Sequence, residues 1–269
     1  MRFNCFTTTL LAACMMPLTT LAVPWGYTEE NDPARWGYTE ENGPARWGEI
    51  SKAYATCQTG INQSPIDIQT TTTSKLGLPA LNMQYVDGPT RFRSINHTLQ
   101  ATMSSYASNS IEIDETLYYL KQFDFHAPSE HTLNGKTYPL EMQLLHKSQS
   151  GDIAIVAVMF DVGEQNQAIQ NLWESFPTME DSSMDIFSPV DIHQLLPDNK
   201  TYWRYRGSLT TPPCTEGVTW SVLKTPVALS AEQLDKFHYI VGPANNRPLQ
   251  PLNERKITDS YSGDTEILY

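Results

Sequence analysis

Cysteine is scarce in this chain. It occurs four times in 269 residues (Cys5, Cys14, Cys57 and Cys214) and never as a CxxC pair, which excludes a disulfide-built scaffold and a metal knuckle. Positive charge is short as well. Eighteen Lys and Arg face thirty Asp and Glu, a formal net charge of −12, so a nucleic-acid backbone or an anionic membrane surface is repelled overall. No run beyond the N-terminal segment approaches the ~20 apolar residues of a membrane-spanning helix. From Trp47 onward there is no Gly/Ser-rich linker to mark a domain boundary, so one domain is expected. A hydrophobic content of 40% with 10% aromatics is enough for a sizeable core and excludes disordered and fibrous classes.

Residues 1–22 carry Arg2 as their only charge and an apolar stretch around Leu10–Met16, the pattern of an export signal peptide. Thr20 and Ala22 supply small residues at the −3 and −1 positions of a cleavage site, which predicts a periplasmic or secreted protein. Leu11-Ala12-Ala13-Cys14 also resembles a lipoprotein box; lipidation at Cys14 is the minority alternative, because it leaves an unusually short apolar region. In an oxidising compartment the remaining Cys57 and Cys214 read as a disulfide by default, with a free reactive thiol as the other reading. A direct repeat comes after the signal: Trp25–Arg35 is repeated at Trp36–Arg46 with one difference, Asp32 against Gly43. Solenoids need at least three longer units, so residues 23–35 read as a surplus duplicated tail and 36–269 as the folded domain. A partner-binding arm carrying Trp25 and Tyr27 is the functional alternative.

Short β-rich runs dominate the rest of the chain. Ile111–Ile113 and Leu117–Phe125 flank Asp114-Glu115-Thr116 as one hairpin, and Leu140–His146 and Ile153–Phe160 flank Gly151-Asp152 as another. The run IAIVAVMF is continuously apolar and predicts a strand buried on both faces. Helical spacing appears only over 165–176 and 231–241, the latter opened by Ser230 and Gln233 in capping-box spacing.

The stretches QFDFHAPSEH and LEMQLLH carry the candidate chemistry. Residues two apart share a strand face, so Asp124 and His126 point one way while Phe123 and Phe125 pack behind them. Glu141 and Gln143 share a face of the next strand, and His146 faces away. Alone, such histidines are more often structural than metal-bound.

Longer motifs make the reading specific. Gln63-Ser64-Pro65-Ile66-Asp67-Ile68, the SEHTLNGKTYPLEM stretch, Gly207–Cys214 (GSLTTPPC), Val218-Thr219-Trp220 and Asn246–Pro251 (NRPLQP) occur in an order that resembles the α-class carbonic anhydrases of the exported bacterial type, from about Trp36 to the end. The resemblance implies a mainly β, single-domain fold with a large twisted, mostly antiparallel sheet of about ten strands and short peripheral helices. It implies zinc at the base of a conical pocket and reversible hydration of CO2 to bicarbonate, and leaves a homodimer open. The three histidine ligands of the family correspond to Asp124, His126 and Gln143, so one of three is intact. By the same resemblance, Thr210 and Glu130 form the hydrogen-bonded pair that orients the zinc hydroxide, Thr211 lines the pocket, and His97 falls at a proton-shuttle position. Gln122 and Glu141 match the groups that hold the ligand imidazoles, and Leu145, Ile155, Leu209, Val218 and Trp220 match the apolar wall for CO2. Cys57 and Cys214 match the family's cystine.

Zinc catalysis needs three strong donors and one open position, so that the ion lowers the pKa of its water to about 7. Asp124 is shorter than imidazole and its charge lowers the Lewis acidity of the ion, while Gln143 offers a neutral amide oxygen, a poor zinc donor. A degraded, inactive or weakly active site is expected. The alternatives are a working carbonic anhydrase with an atypical Asp/His/Gln site and a non-catalytic binding or adhesion module on the same fold.

Overall fold

The computed structural model describes residues 35–260 apart from 87, 96–97, 105–108, 178 and 180. The expected signal (1–22), nearly all of the expected tail (23–35) and the shuttle candidate His97 therefore lie outside the described residues.

The strands are β1 (Asp67–Ile68), β2 (Ser74–Leu78), β3 (Asn82–Gln84), β4 (Arg91–Ile95), β5 (Thr98–Thr102), β6 (Ser110–Ile113), β7 (Thr116–His126) and β8 (Thr132–Leu133). They continue as β9 (Lys136–Thr137), β10 (Leu140–Ser148), β11 (Ile153–Val162), β12 (Ser183–Asp185), β13 (Tyr202–Ser208), β14 (Glu216–Leu223), β15 (Val227–Leu229) and β16 (Thr258–Ser260). The α-helices are α1 (Trp47–Ile50), α2 (Thr56–Thr59), α3 (Gln167–Glu174) and α4 (Ala231–Val241). One large mixed sheet runs β12-β4-β5-β7-β10-β11-β14-β13-β16-β2, with β3, β6 and β15 off this path. The path itself has ten strands, as the family resemblance implies, although β11 pairs with β14 in parallel.

Both expected hairpins form. Strands β6 and β7 pair across Asp114 and Glu115, whose φ values of 49° and 64° suit the two central positions of a type I′ turn. Strands β10 and β11 pair from Leu140↔Phe160 to Lys147↔Ile153. Residues 153–160 are buried throughout, and they alternate between two cores: Ala154, Val156, Val158 and Phe160 pack on one face of the sheet, Ile153, Ile155, Ala157 and Met159 on the other. A strand covered on both faces has no polar position to spare, hence its unbroken apolar run. Helix α4 begins with the expected reciprocal cap: Ser230 Oγ accepts from the Gln233 N–H, and the Gln233 side chain accepts from the Ser230 N–H.

His146 faces away from the candidate site, as its parity predicts, and is buried with its Nε2 2.8 Å from the Tyr85 hydroxyl. Burial pushes its pKa down from 6.5 to about 3. Between those values the unfolded chain binds a proton that the folded chain does not, so stability falls as pH drops, by about 1.4 kcal/mol per pH unit. Replacing the pair by His146→Phe with Tyr85→Phe removes that proton uptake and is expected to move the acid-unfolding midpoint, followed by circular dichroism, to lower pH. An unchanged midpoint would assign acid sensitivity elsewhere.

Candidate functional site

Strand β7 turns Gln122, Asp124 and His126 to one face and Phe123 and Phe125 to the other, where both phenyl rings are fully buried and meet edge to face at 5.8 Å. A slip of one residue would exchange the two sets, so the aromatic core fixes the register of the polar ones. Across the ladder Gln143 pairs with Asp124 and Glu141 with His126. On the other side Gln100 of β5 pairs with Asp124. The expected trio, Asp124, His126 and Gln143, thus lines one cavity of about 190 Å³. Thr210, Thr211, Leu145, Ile155, Leu209 and Gln122 line it too, and Lys121 and Lys147 bring cations to it. Val218 and Trp220 are buried in the apolar cluster that also contains the lining residues Ile155 and Leu209, and Trp220 is the ladder partner of Ile155 on the neighbouring strand.

The polar partners at the floor are already engaged. Asp124 accepts from Gln100 Nε2 at 3.0 Å and from Gln122 Nε2 at 3.3 Å. Gln143 donates through Nε2 to Glu130 at 2.7 Å and to Glu141 at 3.0 Å, and its Oε1 receives the Thr210 hydroxyl at 3.4 Å. Thr210 and Glu130 therefore do not bond each other among the described residues, contrary to expectation. The amide of Gln143 stands between them and satisfies both. Gln122 donates to Asp124 and Glu141 accepts from Gln143, a carboxylate and an amide where the resemblance implies imidazoles.

His126 is nearly fully buried with Nδ1 2.8 Å from the Asn245 carbonyl, a contact that requires the proton on Nδ1 and, in the neutral ring, leaves a lone pair on Nε2. Burial favours its neutral form, but Glu130 at 3.6 Å, the Asn245 carbonyl and Asp124 together hold its pKa above the ordinary histidine value. Burial pushes the Asp124 carboxyl up, against the opposing pull of His126 and the two glutamine amides. Burial pushes Glu141 up as well, yet His131, through its ring and its backbone N–H, and the charge of His126 outweigh it and leave its pKa low. From Glu141 a buried chain runs through His131 and the Tyr205 hydroxyl to Ser64, each link 2.7–2.8 Å. His131 is thus structural.

Sequence reasoning missed Gln100, Asn245 and Arg247. Asn245 holds His126 through its carbonyl and the strand end beside it through its side chain, which bonds the Ala127 N–H and the Phe125 carbonyl. Arg247 is buried; its backbone N–H donates to Glu130, and its guanidinium to Gln63, the Ser64 carbonyl and the Cys57 carbonyl. The NRPLQP motif contained that arginine. Gln100 had no such marker, because only the β5–β7 register places it against Asp124.

Residues 42–261 match the family described as eukaryotic-type carbonic anhydrase. The chain is 44% identical over 250 residues to a carbonic anhydrase of Klebsiella pneumoniae, covering 93% of this chain and 96% of that one. Among solved structures it is similar to the α-carbonic anhydrase of Thermovibrio ammonificans in complex with the inhibitor sulfanilamide: 43% identity, a TM-score of 0.80, and coverage of 83% of this chain and 98% of that one. It is also similar to dioscorin complexed with ascorbate, at 31% identity and a TM-score of 0.79 over 86% of this chain and 99% of that one. The fold and these matches place the chain in the α-type carbonic anhydrase family. Carbonic anhydrases of this family are zinc enzymes that hydrate CO2.

Proposed function

We propose that this protein is a carbonic-anhydrase-family member with a degraded metal site, inactive or weakly active as a hydratase. The observation that carries the reading is the amide of Gln143. Its nitrogen is committed as a donor to Glu130 and Glu141 and its oxygen accepts from Thr210, so the residue spends its polar atoms on the protein. Asp124 likewise accepts from two neutral amides, and of the three only His126 offers a free nitrogen toward the cavity. Among the described residues no three His, Cys, Asp or Glu side chains come together to hold a metal. The donor set does not fit the zinc ion of the family, which prefers nitrogen, thiolate or carboxylate donors in tetrahedral array.

The chain as purified is expected to contain far less than one zinc per molecule and to hydrate CO2 no faster than a zinc-free blank in stopped-flow measurements. Stoichiometric zinc with strong metal-dependent turnover would replace this reading by that of a working enzyme on an Asp/His/Gln site.

The preserved cavity favours retention as a binding module. Leu145, Ile155 and Leu209 keep its wall apolar above a polar floor, the usual make-up of a small-molecule pocket. Ascorbate, the ligand of the similar dioscorin complex, is the first compound to titrate. The Cys57–Cys214 disulfide supports an oxidising location, periplasmic or secreted, and no helix among the described residues is long and apolar enough to cross a membrane.

A further inference from the structure

Residues 25–35 and 36–46 repeat the same eleven amino acids except at one position, Asp32 in the first copy and Gly43 in the second. The second copy builds part of the cavity. Trp36 lines it, and the rings of Trp36, Tyr38 and Trp47 meet edge to face at 5.4–5.9 Å beside the disulfide. The segment is folded back on itself: Gly37 N–H donates to the Asn42 carbonyl at 3.0 Å, Thr39 Oγ1 to Asn42 Oδ1 at 2.7 Å, and Trp47 Nε1 to the Gly37 carbonyl at 3.0 Å.

The segment's own contributors to these contacts all have an identical residue eleven positions earlier: Trp25, Gly26, Tyr27, Thr28 and Asn31. Contact chemistry alone gives the seat two equivalent claimants. Gly43 is buried, and a Cβ placed on it would lie 2.3 Å from the carbonyl oxygen of Thr39. That obstacle is backbone within the same turn, so it cannot rotate aside as a side chain would; the turn itself must open. Asp32 brings that Cβ and a carboxylate besides. We infer that Gly43 reserves the seat for the second copy and that Asp32 bars the first, so that the single difference between the copies gives the cavity wall one register rather than two.

The duplication supplies its own test. Deleting 25–35 or 36–46 leaves chains of equal length that differ at one residue, Gly or Asp before the same Pro-Ala-Arg-Trp. Deletion of 25–35 is expected to keep the melting temperature and near-ultraviolet aromatic circular dichroism of the full chain. Deletion of 36–46 is expected to lower the melting temperature by roughly 2–10 °C and to weaken the aromatic signal. In the full chain Gly43→Ala, which adds the Cβ without charge, is expected to produce a loss of the same kind. Equal melting temperatures and spectra for the two deletion proteins would overturn the inference, as would a Gly43→Ala chain indistinguishable from the parent.

Discussion

Replacing Asp124 and Gln143 together by histidine is expected to restore zinc binding and CO2 hydration to a chain that has little of either. Each imidazole donor is worth roughly 3 to 4 kcal/mol if the ~10 to 16 kcal/mol of a structural zinc site is divided among its ligands, so two restored donors should raise affinity by roughly four to six orders of magnitude. The surroundings suit the repair. Glu141 already lies 3.0 Å from the Gln143 nitrogen, where it can accept from an imidazole instead, and Gln122 already touches residue 124. Removing the Gln143 amide also frees Glu130 and Thr210, which now bond only through it on this side of the site. Groups that orient a ligand matter nearly as much as the ligand itself. The single revertants should gain far less than the product of their effects, because both imidazoles hold one ion and are coupled. Zinc stoichiometry and stopped-flow hydration of the two single variants and the double variant decide the matter. A double variant that takes up no zinc would show that the site has decayed beyond its first ring of ligands.

Much of this site is legible in the amino-acid order because it depends on strand parity. The phenylalanines at 123 and 125 dictate where 124 and 126 point, and the unbroken apolar run at 153–160 announces the central strand against which β10 lies. Side-chain hydrogen bonding is less legible. An imidazole at 143 would leave Thr210 and Glu130 to meet each other, and a glutamine, carrying both donor and acceptor, interposes itself; the motif residues are unchanged while their partners are exchanged. The apolar set is legible as a cluster: Val218 and Trp220 pack with Ile155 and Leu209, and Leu145 lies against them. His126 posed the reverse case, since its orientation depends on a carbonyl 119 residues away in a segment without secondary structure.

Replacing Cys57 and Cys214 together by serine is expected to lower stability by about 5 kcal/mol, the chain-entropy value for a loop as long as the 157 residues the bridge spans. The Cα atoms lie 5.0 Å apart, within the usual range for a bridge, and both cysteines are buried against Trp36, Trp47 and Tyr54. The loss should reach the cavity as well. Cys214 ends the Thr210–Pro213 segment that lines it, and its carbonyl accepts from Gln63, while the carbonyl of Cys57 holds Arg247, whose backbone N–H holds Glu130. One covalent link thus joins the chain that carries Thr210 to the chain that positions Glu130. Urea unfolding of the serine pair, beside the parent with and without a thiol reductant, measures the effect. Reduction should bring the parent down to the serine pair and leave the latter unchanged. A difference under 1 kcal/mol would mean that packing around Trp47 and the buried Arg247 network hold this corner without the bridge.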